Sequence, residues 1–178
     1  MRRVPECIFW QTAEGGGLMA RIDIKLATQC AELRDDRNAL VARYLISSSR
    51  NGAGERKGSY CTPRGLHVIR ARIGGGQPVN TVFVGRRPTG EIYDENLAAQ
   101  YPGRDWILTR ILWLSGCEPG FNRLGDVDTM RRYIYIHGTP DSVTLGVTGS
   151  IGCIRMNNND LIDLFERVKC GDQVCIEE

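Results

Sequence analysis

Residues 137–155 read HGTPDSVTLGVTGSIGCIR, and the rest of the chain is interpreted against this stretch. It holds His137, the second of only two histidines, and Cys153, which follows a glycine. A thiol needs a base or a positive neighbour to form a thiolate at neutral pH, and an imidazole is the usual provider. We therefore predict a cysteine-nucleophile site in which Cys153 attacks and His137 is the general base.

The residues around the cysteine suggest further roles. A glycine allows a sharp turn that leaves amide hydrogens facing a developing oxyanion, so the amides of Gly152 and Cys153 are the predicted oxyanion hole. Arg155 either binds a substrate carboxylate or pairs with an acid such as Asp160, and we favour the substrate. Ser150 forms a hydrogen bond with either the loop or the substrate.

Structural interpretations compete with these roles. A free cysteine is commonly a small buried hydrophobe, and we prefer that interpretation for the six cysteines other than Cys153. His67, between two apolar residues of a predicted strand, is expected to be structural. His137 and Cys153 are too far apart for helical spacing, so they meet only if the loop between them returns the chain beside the strand end. Cys170 and Cys175 lack the spacing of known zinc sites, so we predict no metal.

Length and composition indicate one soluble domain. The chain has 178 residues, 42% of them hydrophobic and 25% charged, which suits a single compact fold. The formal net charge is +2 and basic residues alternate with acidic ones, so we expect no nucleic-acid partner. The 21 glycines imply many turns and hence many short strands.

The N-terminal region and the cysteines bear on location. No segment approaches the roughly 20 apolar residues that span a bilayer, and no secretory signal is evident, so we expect no membrane partner and a cytoplasmic location, with the periplasm as the alternative. Seven cysteines without regular spacing favour reduced thiols. Residues 1–18 are expected to be a tail, and residues 19–178 the domain.

Hydrophobic patterning predicts a mainly β protein with one main helix. The helix covers residues 160–168, with Asn159 as its N-cap and Gly171 as its stop. Strand 132–136 delivers His137 at its end. The predicted strands are residues 21–26, 39–47, 66–73, 81–86, 106–114, 132–136 and 173–176.

The combined motifs resemble the L,D-transpeptidase catalytic domain (YkuD-type). Besides the stretch 137–155, residues 62–69 read TPRGLHVI, and the resemblance runs from about residue 22 to residue 176. It implies a β-sandwich-like fold, no cofactor, and attack of a cysteine on the bond between a diamino acid and D-alanine in peptidoglycan stem peptides. The family's nucleophile and base fall on Cys153 and His137, its arginine on Arg155, and the carbonyl of Gly138 would orient the imidazole.

Two departures from the family pattern shape the functional expectation. Ile151 stands where members usually carry a second histidine, which bears on acceptor choice. No export signal or wall-binding module is evident, whereas crosslinking members act outside the cytoplasmic membrane. We therefore expect an L,D-carboxypeptidase that converts tetrapeptide to tripeptide in cell-wall recycling.

Three alternatives remain. A crosslinking L,D-transpeptidase shares the active site and differs only in its acceptor. A non-catalytic muropeptide-binding module would keep the pocket without the reaction. A papain-like protease fits poorly, because here the histidine precedes the cysteine.

Overall fold

The computed structural model describes residues 20–178, and the predicted tail 1–18 lies outside the described residues. Two α-helices are present in this part of the chain, α1 (Glu95–Gln100) and α2 (Asn158–Arg167). The strands are β1 (Arg21–Lys25), β2 (Cys30–Arg34), β3 (Leu40–Ser47), β4 (Gly65–Ile73), β5 (Thr81–Val84), β6 (Arg87–Ile92), β7 (Leu108–Gly116), β8 (Tyr135–Gly138), β9 (Ile154–Met156) and β10 (Gln173–Glu177).

The strands form one sheet that closes on itself. Their order is β4-β10-β1-β2-β3-β9-β8-β7-β5-β6, and β4 also pairs with β7. The eight strands from β4 to β7 in this order therefore form a ring, and β5 and β6 extend it as a hairpin. The fold is thus mainly β and sandwich-like, as predicted.

The ring and α2 enclose the main apolar core. Alternate residues of a strand point to the same face, and Ile22, Ile24 and Ile136 use this alternation to reach the interior. Leu161 and Leu164, one helical turn apart on α2, are fully buried in the same cluster. The helix that follows β9 is thereby fixed against the sheet, and with it the end of the stretch 137–155.

Several strand boundaries differ from the prediction by one to three residues, and two of these differences have a clear structural cause. Strand 81–86 ends at Val84, because Gly85 and Arg86 both adopt positive φ and form a two-residue turn. Strand 132–136 begins only at Tyr135, since Arg132 lies in a turn and its guanidinium is bound by loop carbonyls.

The helix cap was also predicted two residues too late. The side chain of Asn157, not that of Asn159, accepts hydrogen bonds from the amides of Asn159 (2.9 Å) and Asp160 (3.4 Å). Asn158 is free to point inwards, where Thr109 Oγ1 donates to its Oδ1 at 2.6 Å. Three consecutive asparagines carry the same local signal, and only tertiary packing decides which of them caps the helix.

Four elements were not predicted, namely β2, β6, α1 and β9. The sequence of β2, CAELR, looks too polar for a buried strand. Glu32 is nevertheless only 2% exposed, because Lys25, Arg34 and Arg43 surround its carboxylate at 3.2, 2.7 and 2.6 Å. Strand β9 has three residues, which is too short for a periodic pattern to show.

The cysteines are mostly free. Within residues 20–178 the free thiols are Cys30, Cys61, Cys117, Cys153 and Cys170. Cys175 is disulfide-bonded, so the expectation of reduced thiols holds at these five positions and is wrong at Cys175.

The charge cluster around Glu32 gives a stability prediction. Hydrogen bonds from Arg43 and Arg34 lower the pKa of Glu32 from 4.5 to about 2. The stability that the ionised Glu32 carboxylate contributes to the fold is therefore fully present above about pH 4.5 and is lost as the pH falls towards 2. Urea denaturation of Glu32→Gln should show a loss of about 1–3 kcal/mol at pH 7 that shrinks towards pH 2.

Glu166→Gln is the matched control, since Glu166 is exposed on α2. Equal losses of unfolding free energy in the two variants would contradict a role for this cluster in acid stability. A loss in Glu32→Gln that does not depend on pH would contradict it as well.

Candidate active site

Parallel pairing of β8 with β9 brings the predicted nucleophile and base together. His137 lies opposite Arg155 and Ile136 opposite Ile154, so Cys153, one residue before β9, lies opposite Tyr135. Tyr135 and His137 are two residues apart on one strand and point to the same face. Side chains on the same face of two adjacent strands are neighbours, so Cys153 and His137 lie on one side of the sheet near each other. The loop 139–153 thus returns the chain beside the strand, as the sequence requires for the pair to meet.

The imidazole of His137 is buried and held from one side. Its Nδ1 lies 2.8 Å from the carbonyl oxygen of Gly138, which fits a proton on Nδ1. Its Nε2 is buried and has no hydrogen-bond partner among the described residues. Burial lowers the pKa of His137, so the ring is neutral at pH 7 and Nε2 is available to accept a proton. The predicted contact with Gly138 is therefore present in the structure.

The thiol of Cys153 rests against the backbone of the preceding strand segment. The Tyr135 amide donates to Sγ at 3.4 Å, and Sγ donates to the Tyr133 carbonyl, also at 3.4 Å. The side chain also packs against the apolar cluster of Phe83, Ile111 and Tyr135. Burial raises the pKa of Cys153 to about 12. At neutral pH the resting site therefore holds a neutral thiol and a neutral imidazole, and Sγ must turn from Tyr133 to reach Nε2.

The turn before the cysteine uses one of the two predicted oxyanion donors. Gly152 has φ +129°, a conformation that favours glycine, as the sequence analysis anticipated. Its amide donates to Ser150 Oγ at 3.2 Å, and Ser150 Oγ donates to the Cys153 carbonyl at 2.5 Å. The Cys153 amide makes no hydrogen bond within residues 20–178. Ser150 thus contacts the loop, which is one of the two partners predicted for it, and the Cys153 amide is the donor that remains available.

Arg155 is engaged by an acid that the sequence analysis did not identify. Its Nη2 lies 2.6 Å from Asp105 Oδ1, and its Nη1 donates to the Gly149 carbonyl at 3.2 Å. Asp160, the partner considered from sequence, lies on α2 and is not in this pair. Asp105 precedes β7 by three residues, a position that no local pattern singles out. The ion pair fixes the start of β7 to β9 and gives the guanidinium a structural role beside the thiol.

The sequence motif at 62–65 supports the same turn. Thr62 is fully buried, and its Oγ1 donates to the Gly152 carbonyl at 3.0 Å and accepts from the Ser49 amide at 3.0 Å. Arg132 donates to the carbonyls of Glu55 (2.7 Å) and Cys61 (2.5 Å) on the adjacent loop. These contacts place a cation near Cys153 and tie the loop before β4 to the catalytic turn.

The second histidine lies outside this site. His67, on β4, is buried, with Nδ1 3.0 Å from the Gly65 carbonyl oxygen and Nε2 3.1 Å from Thr129 Oγ1. Burial lowers its pKa to about 4. Because both ring nitrogens have partners in the core, the contacts agree with the predicted structural role.

Two general searches bear on cofactors and membranes. Among residues 20–178, no group of three or more His, Cys, Asp or Glu side chains is arranged to hold a metal ion. Neither described helix has the length and apolar character needed to cross a bilayer.

Comparisons with known proteins give a single family. The family model of the L,D-transpeptidase catalytic domain (YkuD) matches residues 19–176. No curated protein sequence matches the chain.

Solved structures share the fold. An L,D-transpeptidase from Mycobacterium smegmatis is 17% identical with a TM-score of 0.53, over 91% of this chain and 60% of that one. L,D-transpeptidase 3 from Mycobacterium tuberculosis, in complex with a faropenem-derived adduct, is 16% identical with a TM-score of 0.56, over 91% and 61%. The L,D-transpeptidase from Xylanimonas cellulosilytica is 16% identical with a TM-score of 0.52, over 94% and 65%. The chain therefore spans less than two thirds of the length of these structures.

The raised pKa of Cys153 predicts slow alkylation of this thiol in the ligand-free protein. Because little thiolate exists until the pH approaches 12, the rate of modification by iodoacetamide should rise steadily from pH 7 to pH 10. Peptide mass spectrometry of the Cys153-containing fragment measures this rate, and Cys153→Ser identifies the labelled position. A plateau beginning below pH 7 would instead indicate a thiolate–imidazolium pair at rest.

Proposed function

The chain belongs to the L,D-transpeptidase catalytic domain (YkuD) family, and from this membership and the site geometry we propose that it is a cysteine acyl-transfer enzyme acting on peptidoglycan stem peptides. The bond attacked joins a diamino acid to D-alanine. One observation carries the proposal: Cys153 lies on the same sheet face as His137, whose buried Nε2 has no partner within the described chain. An unpartnered buried acceptor is costly unless a ligand or a reacting group uses it.

Acylation begins when the thiol turns towards the imidazole. His137 Nε2 takes the proton from Sγ, and the thiolate attacks the carbonyl carbon of the diamino acid. The Nδ1 contact with the Gly138 carbonyl stabilises the imidazolium that forms, in the place of a triad carboxylate. The amide of Cys153 stabilises the oxyanion. The carbon–nitrogen bond then breaks, D-alanine leaves with the proton from His137, and a thioester remains on Cys153.

Resolution of the thioester defines the activity. We propose that water is the acceptor: His137 takes a proton from water, the hydroxide attacks the thioester, and a tripeptide leaves with Cys153 as a thiol. Ile151 supports this choice. It is 41% exposed beside the turn and has no group that could bind or deprotonate an incoming amine. The enzyme is then an L,D-carboxypeptidase, converting tetrapeptide to tripeptide.

We also propose that the reaction takes place in the cytoplasm, on fragments released from the cell wall. The free thiols of five cysteines, the candidate nucleophile among them, suit a reducing compartment, whereas the disulfide of Cys175 is more typical of an oxidising one. Cell fractionation tests this placement, and recovery of the protein with the periplasmic fraction would overturn it.

Crosslinking transpeptidation is the second candidate, because the solved structures that share the fold are L,D-transpeptidases. It uses the same thioester and differs only in the acceptor. An amine then attacks where the first candidate uses water.

The assigned base and nucleophile can be tested with a trapping reagent. Faropenem should form a covalent adduct on the wild-type protein that Cys153→Ser abolishes. His137→Gln should slow adduct formation by about 100-fold or more, because it removes the proton acceptor. Intact-protein mass spectrometry over time gives both rates.

His67→Gln is the matched control, since it makes the same chemical change at the other buried histidine. We expect its acylation rate to stay within a few-fold of wild type. Equal losses in the two histidine variants would show that the base is misassigned. No adduct on the wild type would favour a non-catalytic muropeptide-binding module.

The acceptor can be identified from the product masses. A disaccharide tetrapeptide ending in D-alanine is incubated with the enzyme and excess D-methionine, and the products are read by mass spectrometry. Tripeptide as the main product would support hydrolysis. Exchange of D-alanine for D-methionine would show that an amine competes with water and would favour the transpeptidase.

A further inference from the structure

A strained arginine lies at the tip of the β5–β6 hairpin. The two-residue turn consists of Gly85 and Arg86, with φ +56° and +67°. Turns of this kind favour glycine, asparagine or aspartate, because a side chain crowds the left-handed backbone. Gly85 satisfies this preference and Arg86 does not. Strained positions of this kind tend to occur at functional sites, so the contacts of Arg86 are informative.

The Arg86 side chain reaches back across the sheet to three aromatic residues. Its Cζ lies 4.4 Å from the ring centroid of Trp113 and 5.1 Å from that of Tyr133. Its Nη1 donates to the hydroxyl of Tyr135 at 3.0 Å. These contacts place the guanidinium over an aromatic surface.

The same aromatic residues surround the candidate nucleophile. The backbone of Tyr133 and Tyr135 forms both hydrogen bonds of Cys153 Sγ. Trp113 packs with Cys153 against one apolar cluster. Tyr133 is 55% exposed, so the surface that Arg86 covers continues from the thiol to solvent. A peptide that lies along this surface is therefore beside Arg86 when it reaches Cys153.

The positive charge at this surface is not neutralised. Arg70 lies over Trp113 as well, with its Cζ 5.4 Å from the ring centroid. None of the ion pairs among residues 20–178 includes Arg70 or Arg86. Nη2 and Nε of Arg86 make no hydrogen bond there either, and such a pair of donors matches the two oxygens of a carboxylate.

We propose that Arg86 is a specificity-determining residue whose guanidinium, stacked on Trp113 and Tyr133, binds a carboxylate of the stem peptide during acylation of Cys153. The inference rests on the proposed function and adds the subsite that selects an anionic substrate. Tyr133 contributes its exposed ring to the apolar part of the peptide. The carboxylate is either that of the terminal D-alanine or an internal one.

Arg86→Asn tests the subsite, and Arg87→Asn is its matched control. Asparagine tolerates the left-handed turn, so the hairpin should keep its fold in Arg86→Asn. Arg87 is the next residue along, is exposed, and carries the same charge. For tripeptide formation from a tetrapeptide, Arg86→Asn should raise KM about tenfold with kcat within twofold, and Arg87→Asn should leave both near wild type. Equal KM values in the two variants would overturn the proposal.

Amidated substrates identify the carboxylate. If the terminal carboxylate binds Arg86, amidating it should raise the wild-type KM and remove the difference between wild type and Arg86→Asn. The same result on amidating only an internal carboxylate would assign that group. If the difference survives both amidations, the subsite does not bind a carboxylate and the proposal fails.

Binding to an inactive enzyme separates this inference from the proposed function. In a Cys153→Ala background, calorimetry with the tetrapeptide should show about tenfold weaker binding on adding Arg86→Asn and no change on adding Arg87→Asn. If wild type forms no tripeptide but this pattern holds, the subsite stands and the enzymatic proposal fails. Absence of tetrapeptide binding to Cys153→Ala would overturn both.

Discussion

The parallel pairing of β8 with β9 is the constraint on which the site depends. A parallel pair needs a long connection, here the loop 139–153. Closing this loop costs conformational entropy, and the short pair β8–β9 forms few hydrogen bonds to offset that cost. The surrounding sheet compensates, because β7 pairs with β8 and β3 pairs with β9. The three-residue strand β9 is thus placed by its neighbours. Asp105 strengthens this placement through its ion pair with Arg155.

Hydrogen bonds from polar side chains stabilise the turn before Cys153, which lies outside regular secondary structure. Thr62, Ser150 and Arg132 each satisfy backbone carbonyls that would otherwise be buried without partners. This explains why the motif at 62–65 accompanies the cysteine motif although they lie far apart in the chain. A loop that is hydrogen-bonded in this way keeps its shape without a covalent crosslink.

The sequence analysis predicted most of the strands, and it selected Cys153 and His137, which the pairing of β8 with β9 places on one sheet face. Strong apolar alternation is a local property, and so is a glycine before a cysteine. It could not predict β2, because the burial of Glu32 depends on cations supplied by other positions of the sheet. It missed Asp105, and it left open whether Ser150 contacts the loop or the substrate, for the same reason, since partners brought together by tertiary structure leave no local signal. The sequence analysis predicted Arg86 to be the last residue of a strand, because the neighbouring residues do not indicate a left-handed turn.

The resting position of the Cys153 thiol affects more than its reactivity towards substrate. Peroxides oxidise thiolates far faster than thiols, and the first product, a sulfenic acid, leads on to irreversible acids. A sulfur that stays protonated and donates to the Tyr133 carbonyl is a poor target for such reagents. The fold therefore keeps the Cys153 sulfur in its less oxidisable form, and the thiol becomes more reactive towards such reagents when it turns from Tyr133 towards the imidazole.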